Sequence, residues 1–353
     1  MSIPIDNINT VLTLMPDKHI GNLVVSLPAI DGLIKHFQGK KFYLIIDTAY
    51  REIVESIISE GQIEFYPRKF LNTGSYLRRA LSYFEFVYSI RKMQPDIAID
   101  LQGGHTSSLI TLFSGAASRV AGSFAKRSYA YNLKVNVSEG KHKVYSYLEI
   151  AAAVGAPVNE KAYRLQSAGA RRLSLENKLR NIGLISERPI VTVHPGGGRF
   201  QKLWTVSGFA SIADWLAAGE YQVVFVGGPG ELDRTREIIS LINHQTYNLV
   251  GILSLGELMA LFEICSLFLG NDGGPMHLAA AKGTPIVAMF GYADESRWGP
   301  RCEKSIILRG QERCLDCSRK ECQDPKCINT LSSDAVKSAI ETLFQKKSTT
   351  GLN

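Results

Sequence analysis

The sequence predicts an α/β protein in which parallel sheets are covered by helices on both faces. Short apolar runs typical of buried strands alternate along the chain with amphipathic segments typical of helices. Several of these apolar runs end in glycines, as parallel strands often do where they turn into a helix. The 353 residues, 45% of them hydrophobic, are enough for two domains that each have a core.

Predicted strands and helices alternate through both halves of the chain. In the first half the strands are residues 11–15, 42–46, 63–67 and 95–101, and the helices are residues 23–37, a helix beginning over 53–58, 78–91, 109–114 and 145–155. In the second half the strands are residues 189–194, 222–226, 249–250, 267–269 and 285–290, and the helices are residues 170–183, 206–217, 232–241, 255–265 and 332–344. The aromatic side chains of helix 78–91 are interpreted as core and surface packing rather than as a stacking platform.

A stretch of weak hydrophobic periodicity separates the two halves. Residues 156–166, which contain Pro157 and mixed polar residues, form the predicted linker. We therefore expect a first domain over residues 1–160, a second over residues 170–331, and a C-terminal helix and tail over residues 332–353.

Composition and charge limit the class of protein and partner. The formal net charge of +7 suits polyanionic partners such as nucleic acid, an anionic lipid surface or a phosphorylated small molecule. The cations are spread out and no aromatic-rich basic motif accompanies them, so we expect no nucleic-acid partner. No run approaches the ~20 apolar residues of a membrane span, and the first residues lack the build of a signal peptide. A soluble cytoplasmic protein is expected.

The most informative stretch is residues 270–291. An apolar run gives way to the glycines and proline of Gly273-Gly274-Pro275, followed by a short amphipathic segment through Met276 and a second apolar run. Helix N-terminal amides at such a turn are a natural seat for a diphosphate, beside which Asp272 and His277 would lie. The alternative is a tight turn whose glycines only relieve crowding, with Asp272 as an N-cap.

Two further strands of the second half also end in glycines. His194 is followed by Pro195-Gly196-Gly197-Gly198, with Arg199 and Lys202 close behind, so that free amides and positive charge occur together. The alternative is a flexible loop with two surface cations. The strand 222–226 runs into Gly227-Gly228-Pro229-Gly230-Glu231, which is the same pattern.

Four blocks of sequence resemble glycosyltransferase family 9, the heptosyltransferase family of bacterial lipopolysaccharide assembly. They are residues 20–30 (IGNLVVSLPAI), residues 194–197 (HPGG) with 202–204 (KLW), residues 225–229 (FVGGP), and residues 271–281 (NDGGPMHLAAA) continuing through 290–291 (FG) and 298–300 (WGP). The blocks follow the order of the family and together span nearly the whole chain. The last block is the most specific.

The resemblance implies a GT-B architecture, in which two Rossmann-like domains face each other across a cleft. The nucleotide sugar would bind mainly to the C-terminal domain and the acceptor mainly to the N-terminal domain, and the C-terminal helix over residues 332–353 would pack back toward the N-terminal domain. The implied chemistry is metal-independent, inverting transfer of a sugar, typically a heptose from an ADP-activated donor, to a hydroxyl of a lipopolysaccharide core or related glycan. Such an enzyme would contact the inner membrane surface peripherally, and the basic surface would suit a phosphorylated acceptor.

The resemblance also assigns roles to residues. Lys202 would contact phosphate, Asp272 would meet the sugar, and His277 with the amides near Gly273 and Gly274 would hold the diphosphate. The remaining positions of the matching blocks and turns complete the expected donor site, namely His194, Gly196, Gly197, Gly227, Gly228, Glu231, Pro275 and Met276.

Two positions depart from the family pattern. Asn22 stands where the family usually has the aspartate expected to be the catalytic base, and an amide cannot accept a proton at neutral pH. Three interpretations remain open: Asp17 or His19 is the base, the chain binds a donor but turns over poorly, or Asn22 is an engineered change that disables the enzyme. We favour an active enzyme with a displaced base. Gly273 stands where the family more often has serine, which removes one hydroxyl.

Four cysteines late in the chain have the spacing of a metal site. Cys314, Cys317, Cys322 and Cys327 could together hold zinc or iron in a closed structural site remote from the sugar chemistry. Similar clusters occur in some relatives, including protein heptosyltransferases that bind iron. The alternative is four unliganded surface thiols, and Cys265, in an apolar helix, is expected to lie in the core. No cofactor is expected for the catalysis itself.

Three functions compete at this point. The first is sugar transfer from a nucleotide donor. The second is binding of a nucleotide sugar without efficient turnover, because Asn22 replaces the expected base. The third is another reaction of the same fold, such as 2-epimerisation of a nucleotide sugar.

Overall fold

The structure is a computed structural model, and it describes residues 7–55, 57, 62–71, 73–159, 164–165, 169–184, 188–312, 314, 317 and 321–349. The chain divides into two compact units, Met1–Tyr163 and Arg164–Asn353. The linker predicted over residues 156–166 is described only at residues 156–159 and 164–165.

The first unit has six strands and six helices among its described residues. Its strands are β1 (Thr10–Met15), β2 (Lys41–Asp47), β3 (Gln62–Tyr66), β4 (Ile97–Asp100), β5 (Ser118–Gly122) and β6 (Leu133–Val135). Its helices are α1 (Ile20–His36), α2 (Arg51–Val54), α3 (Arg68–Leu71), α4 (Tyr76–Lys92), α5 (His105–Phe113) and α6 (Lys143–Ala153).

The second unit has six strands and eight helices within the part of it that the structure describes. Its strands are β7 (Ile190–His194), β8 (Gln222–Phe225), β9 (Tyr247–Asn248), β10 (Leu267–Asn271), β11 (Ile286–Met289) and β12 (Ser305–Leu308). Its helices are α7 (Gly169–Asn181), α8 (Val206–Ala218), α9 (Leu232–Ile239), α10 (Leu255–Ile264), α11 (Gly274–Lys282), α12 (Glu295–Trp298), α13 (Lys326–Asn329) and α14 (Ser333–Thr349).

The two sheets have the same strand order. The first sheet runs β3-β2-β1-β4-β5-β6. The second sheet, taken from its β9 edge, runs β9-β8-β7-β10-β11-β12, which is the equivalent order. All the paired strands are parallel. In each sheet the two central strands, β1 with β4 and β7 with β10, come from different halves of the unit's sequence. In this topology the crevice at the carboxyl ends of the two central strands, where the order reverses, is the usual place for a ligand. The expected ligand positions are therefore between β1 and β4 in one unit and between β7 and β10 in the other.

The central strands lie in the core, as their apolar composition predicts. Every residue of β1, β4, β7 and β10 is buried. A strand covered by helices on both faces can be apolar throughout, which explains why these runs lack the alternation of a half-exposed strand.

The C-terminal helix packs on the second unit. Val336, Ala339, Ile340 and Leu343 of α14 belong to the hydrophobic core cluster of that unit, together with residues of α8 and β7. The expected return of this segment toward the first domain stays a prediction.

Most predicted elements are present, and the differences have local causes. Strands β5 and β6 were not predicted, because they are short and include Ser118-Arg119 and Lys134 in place of an apolar run. Strand β12 was not predicted either, although three of its four residues are apolar. The short strand expected over residues 249–250 lies two residues earlier, at Tyr247–Asn248. The helix expected to begin over residues 53–58 is α2, which ends at Val54, and residues 56 and 58 lie outside the described part of the chain.

No helix among the described residues is long and apolar enough to cross a bilayer.

Candidate functional site

The first half of the candidate site lies where β1 ends, next to β4. Strand β1 delivers Met15 and then Asp17 to the carboxyl edge of the sheet, and α1 begins three residues later at Ile20. The loop after β4 brings Gln102 to the same edge, because β1 and β4 are paired side by side. The two loops at the reversal of strand order therefore share one cluster of polar side chains.

Asp17 is the centre of this cluster. Its Oδ1 accepts the His19 backbone N–H over 2.8 Å and lies 3.0 Å from His19 Nδ1. Its Oδ2 accepts the side-chain amides of Asn22 over 2.9 Å and of Gln102 over 3.2 Å. Both candidate bases of the sequence analysis, Asp17 and His19, are thus in contact with each other, and Asp17 is also in contact with Asn22.

The contacts keep the Asp17 carboxyl ionised. Burial alone would raise its pKa, since only 8% of the residue is exposed. The hydrogen bonds from His19 and Asn22 outweigh burial, so that the pKa lies below its ordinary value. At neutral pH Asp17 is therefore a carboxylate that can accept a proton, held in place by three neighbouring side chains.

Three residues at this edge were not predicted to belong to the site. Gln102 contacts Asp17 directly, while Arg68 donates to the Pro16 carbonyl and to the Asp47 carboxylate. The Tyr50 hydroxyl donates to the Lys18 carbonyl over 2.5 Å. Arg68 and Tyr50 follow β3 and β2, whose carboxyl ends lie at the same edge, so the strand order is the signal that could have found them.

A buried carboxylate underlies the loop that carries Gln102. Asp100 is fully buried, accepts the Tyr131 hydroxyl over 2.6 Å and accepts the Gly103 backbone N–H over 2.8 Å. Burial raises the pKa of Asp100 to about 6, although the hydrogen bonds from Tyr131 and Gly103 act in the opposite direction. Gly103 has a φ of +63°, a conformation that favours glycine, so Asp100 holds the turn through a position that few residues could occupy.

The second half of the candidate site is the turn between β10 and α11. Strand β10 ends at Asn271, Asp272 and Gly273 follow, and α11 begins at Gly274. Pro275 lies in the first turn of the helix, where its missing N–H costs least, and Gly283, with a φ of +77°, caps the helix after Lys282. The predicted strand, glycine turn and helix are therefore present, with the helix N-terminus at the carboxyl edge of the sheet.

Lys202 and Asp272 form an ion pair at this turn. Their Nζ and Oδ2 atoms are 2.5 Å apart, and their side chains are 24% and 5% exposed. The Lys202 ammonium also lies 5.7 Å from the centre of the Tyr292 ring, in the loop after β11. Lys202 is thus held at the turn that precedes α11, and its contact with a phosphate stays a prediction.

His194 and Glu231 form a second pair, between the other two glycine turns. His194 Nε2 lies 3.2 Å from both carboxylate oxygens of Glu231, and Glu231 accepts the Gly228 N–H over 2.8 Å. A side chain at Gly196 or Gly227 would collide with this carboxylate, so both glycines provide the space that Glu231 occupies. Glu231 therefore brings together four residues of the predicted donor site, namely His194, Gly196, Gly227 and Gly228.

The carboxylate of Glu231 is ionised in this environment. Burial would raise its pKa, but the His194 hydrogen bond and charge, with the Gly228 and Gly197 amides, hold the pKa below its ordinary value. A carboxylate beside a glycine-rich strand end is the group that binds ribose hydroxyls in many nucleotide-binding folds. His194 Nδ1 is buried and has no hydrogen-bond partner among the described residues.

A buried asparagine organises the loop that carries Lys202. The Asn271 side chain is fully buried, donates to the Pro195 and Gly196 carbonyls over 3.0 Å each, and accepts the Trp204 N–H over 3.0 Å. It joins the end of β10 to both ends of the loop after β7. Asn271 belongs to one of the four sequence blocks, but the sequence does not reveal its structural role, because its partners lie 67 to 76 residues away.

The remaining predicted donor residues lie around the same turn. His277 is 6% exposed, and its ring lies 6.5 Å from the Trp298 ring in an edge-on arrangement. Met276 is fully buried. The assignment of these residues to donor binding stays a prediction.

The four cysteines line one cavity of about 140 Å³. Burial raises the pKa of Cys327, and the three other thiols act in the same direction. Thiolates are the donors that zinc and iron favour, but among the residues that the structure describes no three metal-binding side chains are arranged to hold an ion. A metal held by these four cysteines stays a prediction.

The cysteine cavity is not remote from the candidate donor site, contrary to expectation. Gln201 and Tyr292 line it together with the cysteines, and Gln201 donates to the Cys322 carbonyl over 3.2 Å. Gln201 precedes Lys202 in the chain, and the Tyr292 ring faces Lys202. The expectation was wrong because the cysteine-bearing segment folds back against loops that lie far earlier in the chain, 121 residues earlier in the case of Gln201. Cys265 lies in the core, as expected, and burial raises its pKa to about 11.

The sequence matches one family along most of its length. The sequence model described as glycosyltransferase family 9 (heptosyltransferase) matches residues 83–328, which is more than half of the chain. Among curated proteins, lipopolysaccharide heptosyltransferase 3 of Escherichia coli is 21% identical over 346 residues, covering 94% of this chain and 98% of its own.

Two solved structures have the same fold over nearly the whole chain. A family 9 glycosyl transferase from Veillonella parvula matches with a TM-score of 0.83 at 20% identity, covering 98% of this chain and 99% of its own. The E. coli ADP-heptose lps heptosyltransferase II matches with a TM-score of 0.79 at 19% identity, covering 96% of this chain and 99% of its own. The expected GT-B class, built from two Rossmann-like units, is confirmed.

Proposed function

This chain belongs to glycosyltransferase family 9, and from that premise we propose that it transfers a heptose from an ADP-activated donor to a hydroxyl of a lipopolysaccharide core or related glycan. The observation that carries the proposal is the composition of the two crevices. One holds a buried, ionised carboxylate, and the other holds a lysine beside a helix N-terminus. Inverting sugar transfer needs both kinds of group.

The donor is assigned to the crevice between β7 and β10. Lys202 and the amides at the start of α11 would hold the diphosphate, and Glu231 would accept hydrogen bonds from the ribose hydroxyls. Asp272, next to the diphosphate position, would accept a hydroxyl of the transferred sugar. An ADP-linked heptose is preferred over other nucleotide sugars because heptosyltransferase II of E. coli, named for ADP-heptose, matches this chain along its length.

Asp17 is assigned as the base. Its carboxylate would take the proton from the acceptor hydroxyl, whose oxygen then bonds to the anomeric carbon as the bond from that carbon to the diphosphate breaks. The departing nucleoside diphosphate carries the released electron pair, and Lys202 with the helix amides would stabilise the added charge. The configuration at the anomeric carbon inverts, and Asp17 returns its proton to solvent.

A second function is favoured by one observation. Asn22 occupies the position of the usual base, and its amide occupies one oxygen of Asp17, which leaves that carboxylate less available. On this interpretation the chain is a nucleotide-sugar-binding relative with weak turnover.

Binding and transfer assays separate the two functions. Thermal unfolding is followed with ADP-heptose, ADP-glucose, UDP-glucose and GDP-mannose, since a ligand at about 100 times its Kd stabilises a protein by about 2.7 kcal/mol. We expect the largest rise in Tm with ADP-heptose. Transfer is then measured as release of ADP in the presence of glycolipid extracted from a strain that lacks core heptose.

The outcomes are distinct. ADP release that depends on the glycolipid, with a product heavier by one heptose, supports the transferase. Binding of ADP-heptose without ADP release across several glycolipids supports the weak relative. Absence of any shift with all four nucleotide sugars contradicts both functions.

We further propose that the enzyme meets its acceptor at the inner membrane surface, as a peripheral protein. A glycolipid acceptor is held in that surface, and the net charge of +7 is of the sign that anionic lipids attract.

A further inference from the structure

Helix α4 carries two apolar faces, one of which is exposed. The inner face contributes Val87 and Ile90 to the core of the first unit, and Tyr83 and Phe86 pack against that core. The outer face presents Leu77, Leu81, Phe84 and Tyr88, which are 72%, 55%, 69% and 52% exposed. Their spacing of four, three and four residues places them in one line along the helix. We call these four residues the outer stripe.

The outer stripe is a concentration of exposed apolar surface. Fourteen large hydrophobic side chains are exposed among the described residues, and five of them, the outer stripe and Tyr76, lie on this 17-residue helix. Single exposed hydrophobic residues are normal, whereas a contiguous patch indicates an interaction surface. Within the stripe, the Phe84 and Tyr88 rings lie parallel with centroids 6.4 Å apart. These two rings therefore form a continuous part of the stripe.

The charges around the outer stripe are mainly positive. Helix α4 carries four cations, Arg78, Arg79, Arg91 and Lys92, and one carboxylate, Glu85, so that its net charge is 4 − 1 = +3. Lys92 lies 4.7 Å from the centre of the Tyr88 ring, and Arg79 lies 5.7 Å from the centre of the Tyr76 ring. Cations at both ends of an apolar stripe, beside tyrosine rings, are the pattern of a helix that lies in the plane of a bilayer interface.

We propose that the outer stripe of α4 is the surface by which the protein docks on an anionic phospholipid bilayer. Leucine and aromatic side chains enter the boundary between headgroups and acyl chains, and the flanking cations meet the lipid phosphates. A second copy of the chain is the less suitable occupant, because pairing two α4 helices would bring together two surfaces that each carry a net charge of +3. The proposal deepens the peripheral contact proposed above by naming its surface, and its test needs no sugar, so its failure is distinguishable from failure of the transferase.

Vesicle co-sedimentation tests the proposal on the full chain. The probes are vesicles of phosphatidylcholine alone and of phosphatidylcholine with about 30% phosphatidylglycerol, a mixture of about the surface charge that cytoplasmic leaflets carry. The test variant is Leu81→Ser with Phe84→Ser. The matched control is Leu241→Ser with Ile252→Ser in the second unit, where the residues replaced are 56% and 52% exposed.

We expect the wild type to bind the anionic vesicles and to bind phosphatidylcholine at least tenfold more weakly. The Leu81/Phe84 variant should lose at least tenfold in affinity for the anionic vesicles, and the Leu241/Ile252 control should bind like the wild type. Replacing Arg91 and Lys92 with glutamine should weaken binding by about fivefold per cation, the effect of one cation near an anionic surface. Unchanged Tm and unchanged nucleotide binding show that each variant is folded.

A reporter variant gives a second measurement. Phe84→Trp should show a blue-shifted emission on anionic vesicles and quenching by lipids brominated in their acyl chains, beyond that of the wild type with its native tryptophans. Equal binding of the wild type and the Leu81/Phe84 variant overturns the proposal. A wild-type dimer in the absence of lipid that the Leu81/Phe84 variant converts to a monomer overturns it as well, since the stripe would then join two copies.

Discussion

The side-chain amide of Asn22 donates a hydrogen bond to the Asp17 carboxylate over 2.9 Å. The residue that replaces the family's expected base therefore touches the residue that we propose in its place. A carboxylate at either of these two positions would lie at the same edge of the first sheet.

Asp17→Asn should remove the base without changing the shape of the site. We expect turnover to fall by about 10²–10⁴-fold, the usual contribution of a general base, with unchanged affinity for the nucleotide sugar, because the donor is assigned to the other unit. Single-turnover transfer and equilibrium binding check these two quantities separately. If Asp17→Asn leaves the rate within a few fold of the wild type, Asp17 is not the base.

Asn22→Asp provides the complementary change. Two carboxylates in hydrogen-bond contact cannot both ionise easily, so the pKa of one of them should rise and the acidic limb of the pH–rate profile should move to higher pH. The exchange variant, which combines Asp17→Asn with Asn22→Asp in one chain, should recover much of the rate lost in Asp17→Asn alone. An inactive exchange variant would restrict the base to the position of Asp17.

Lys202→Gln should weaken donor binding. It removes the cation next to the amides of α11 and leaves the 5% exposed carboxylate of Asp272 without its partner. A hydrogen bond to a charged group is worth about 1.5–3 kcal/mol, so we expect the Kd for ADP to rise about 10- to 100-fold. Titration calorimetry measures the Kd for ADP. Lys178→Gln, which breaks the 2.8 Å pair with Glu257 elsewhere in the same unit, is the control and should leave the Kd unchanged.

Gly273→Ser should stabilise the protein more than Gly273→Ala does. A Cβ at this position would lie 3.6 Å from His194 Cε1, at ordinary contact distance, and a φ of −172° suits any residue. The added hydroxyl can reach the neighbouring His194 Nδ1, which is buried and has no partner in the described part of the chain. We expect the serine variant to have a free energy of unfolding higher than that of the alanine variant by about 1 kcal/mol, measured by urea denaturation. Equal stability of the two variants would rule out the hydrogen bond.

Asp100 should make stability depend on pH between about 4 and 6. Its pKa is about 6 in the folded chain and about 3.9 in unfolded chains, so folding favours the protonated form. The stability that this group contributes is complete below about pH 4 and is lost as pH rises through about 6, to a total on the order of 3 kcal/mol. Asp100→Asn lacks this dependence, so the stability of the wild type relative to the variant should fall between pH 4 and pH 7.

Urea denaturation of the wild type and of Asp100→Asn at pH 4, 5.5 and 7 checks the direction of this pH dependence. Tyr131→Phe is the control for the hydrogen bond, because the Tyr131 hydroxyl lowers the pKa of Asp100. Without the Tyr131 hydroxyl, the stability should be lost at a higher pH. A difference between the wild type and Asp100→Asn that stays constant over this range would show that Asp100 titrates as in the unfolded chain.

For the cysteines we propose a structural zinc or iron, for which the four thiols would have to draw together from their positions around the cavity. Metal analysis after purification without chelator should then find about one ion per chain, and Cys317→Ser with Cys322→Ser should remove it. Because Gln201 and Tyr292 line the same cavity, the double variant should also weaken ADP binding. Protein with no zinc or iron would contradict this proposal, and Cys302→Ser, outside the cluster, is the control.

The sequence predicts the central strands and the glycine turns, but not every contact at the site. Runs such as residues 267–269 are apolar throughout and end in glycines, so a buried strand and its turn could be read directly. Strand β6, with Lys134 in its centre and three residues in all, gives no such pattern. Contacts such as that of Gln102 with Asp17, across 85 residues, depend on which strands pair, and that order is not written in any local stretch.

The identical strand order of the two sheets has a consequence for how the protein can evolve. Each half has its own sheet, and in the second half a core cluster closed by α14, so that the proposed donor and acceptor residues are encoded in separate, contiguous stretches of the gene. Recombination near the codons for residues 156–166 could then exchange one substrate preference and leave the other intact.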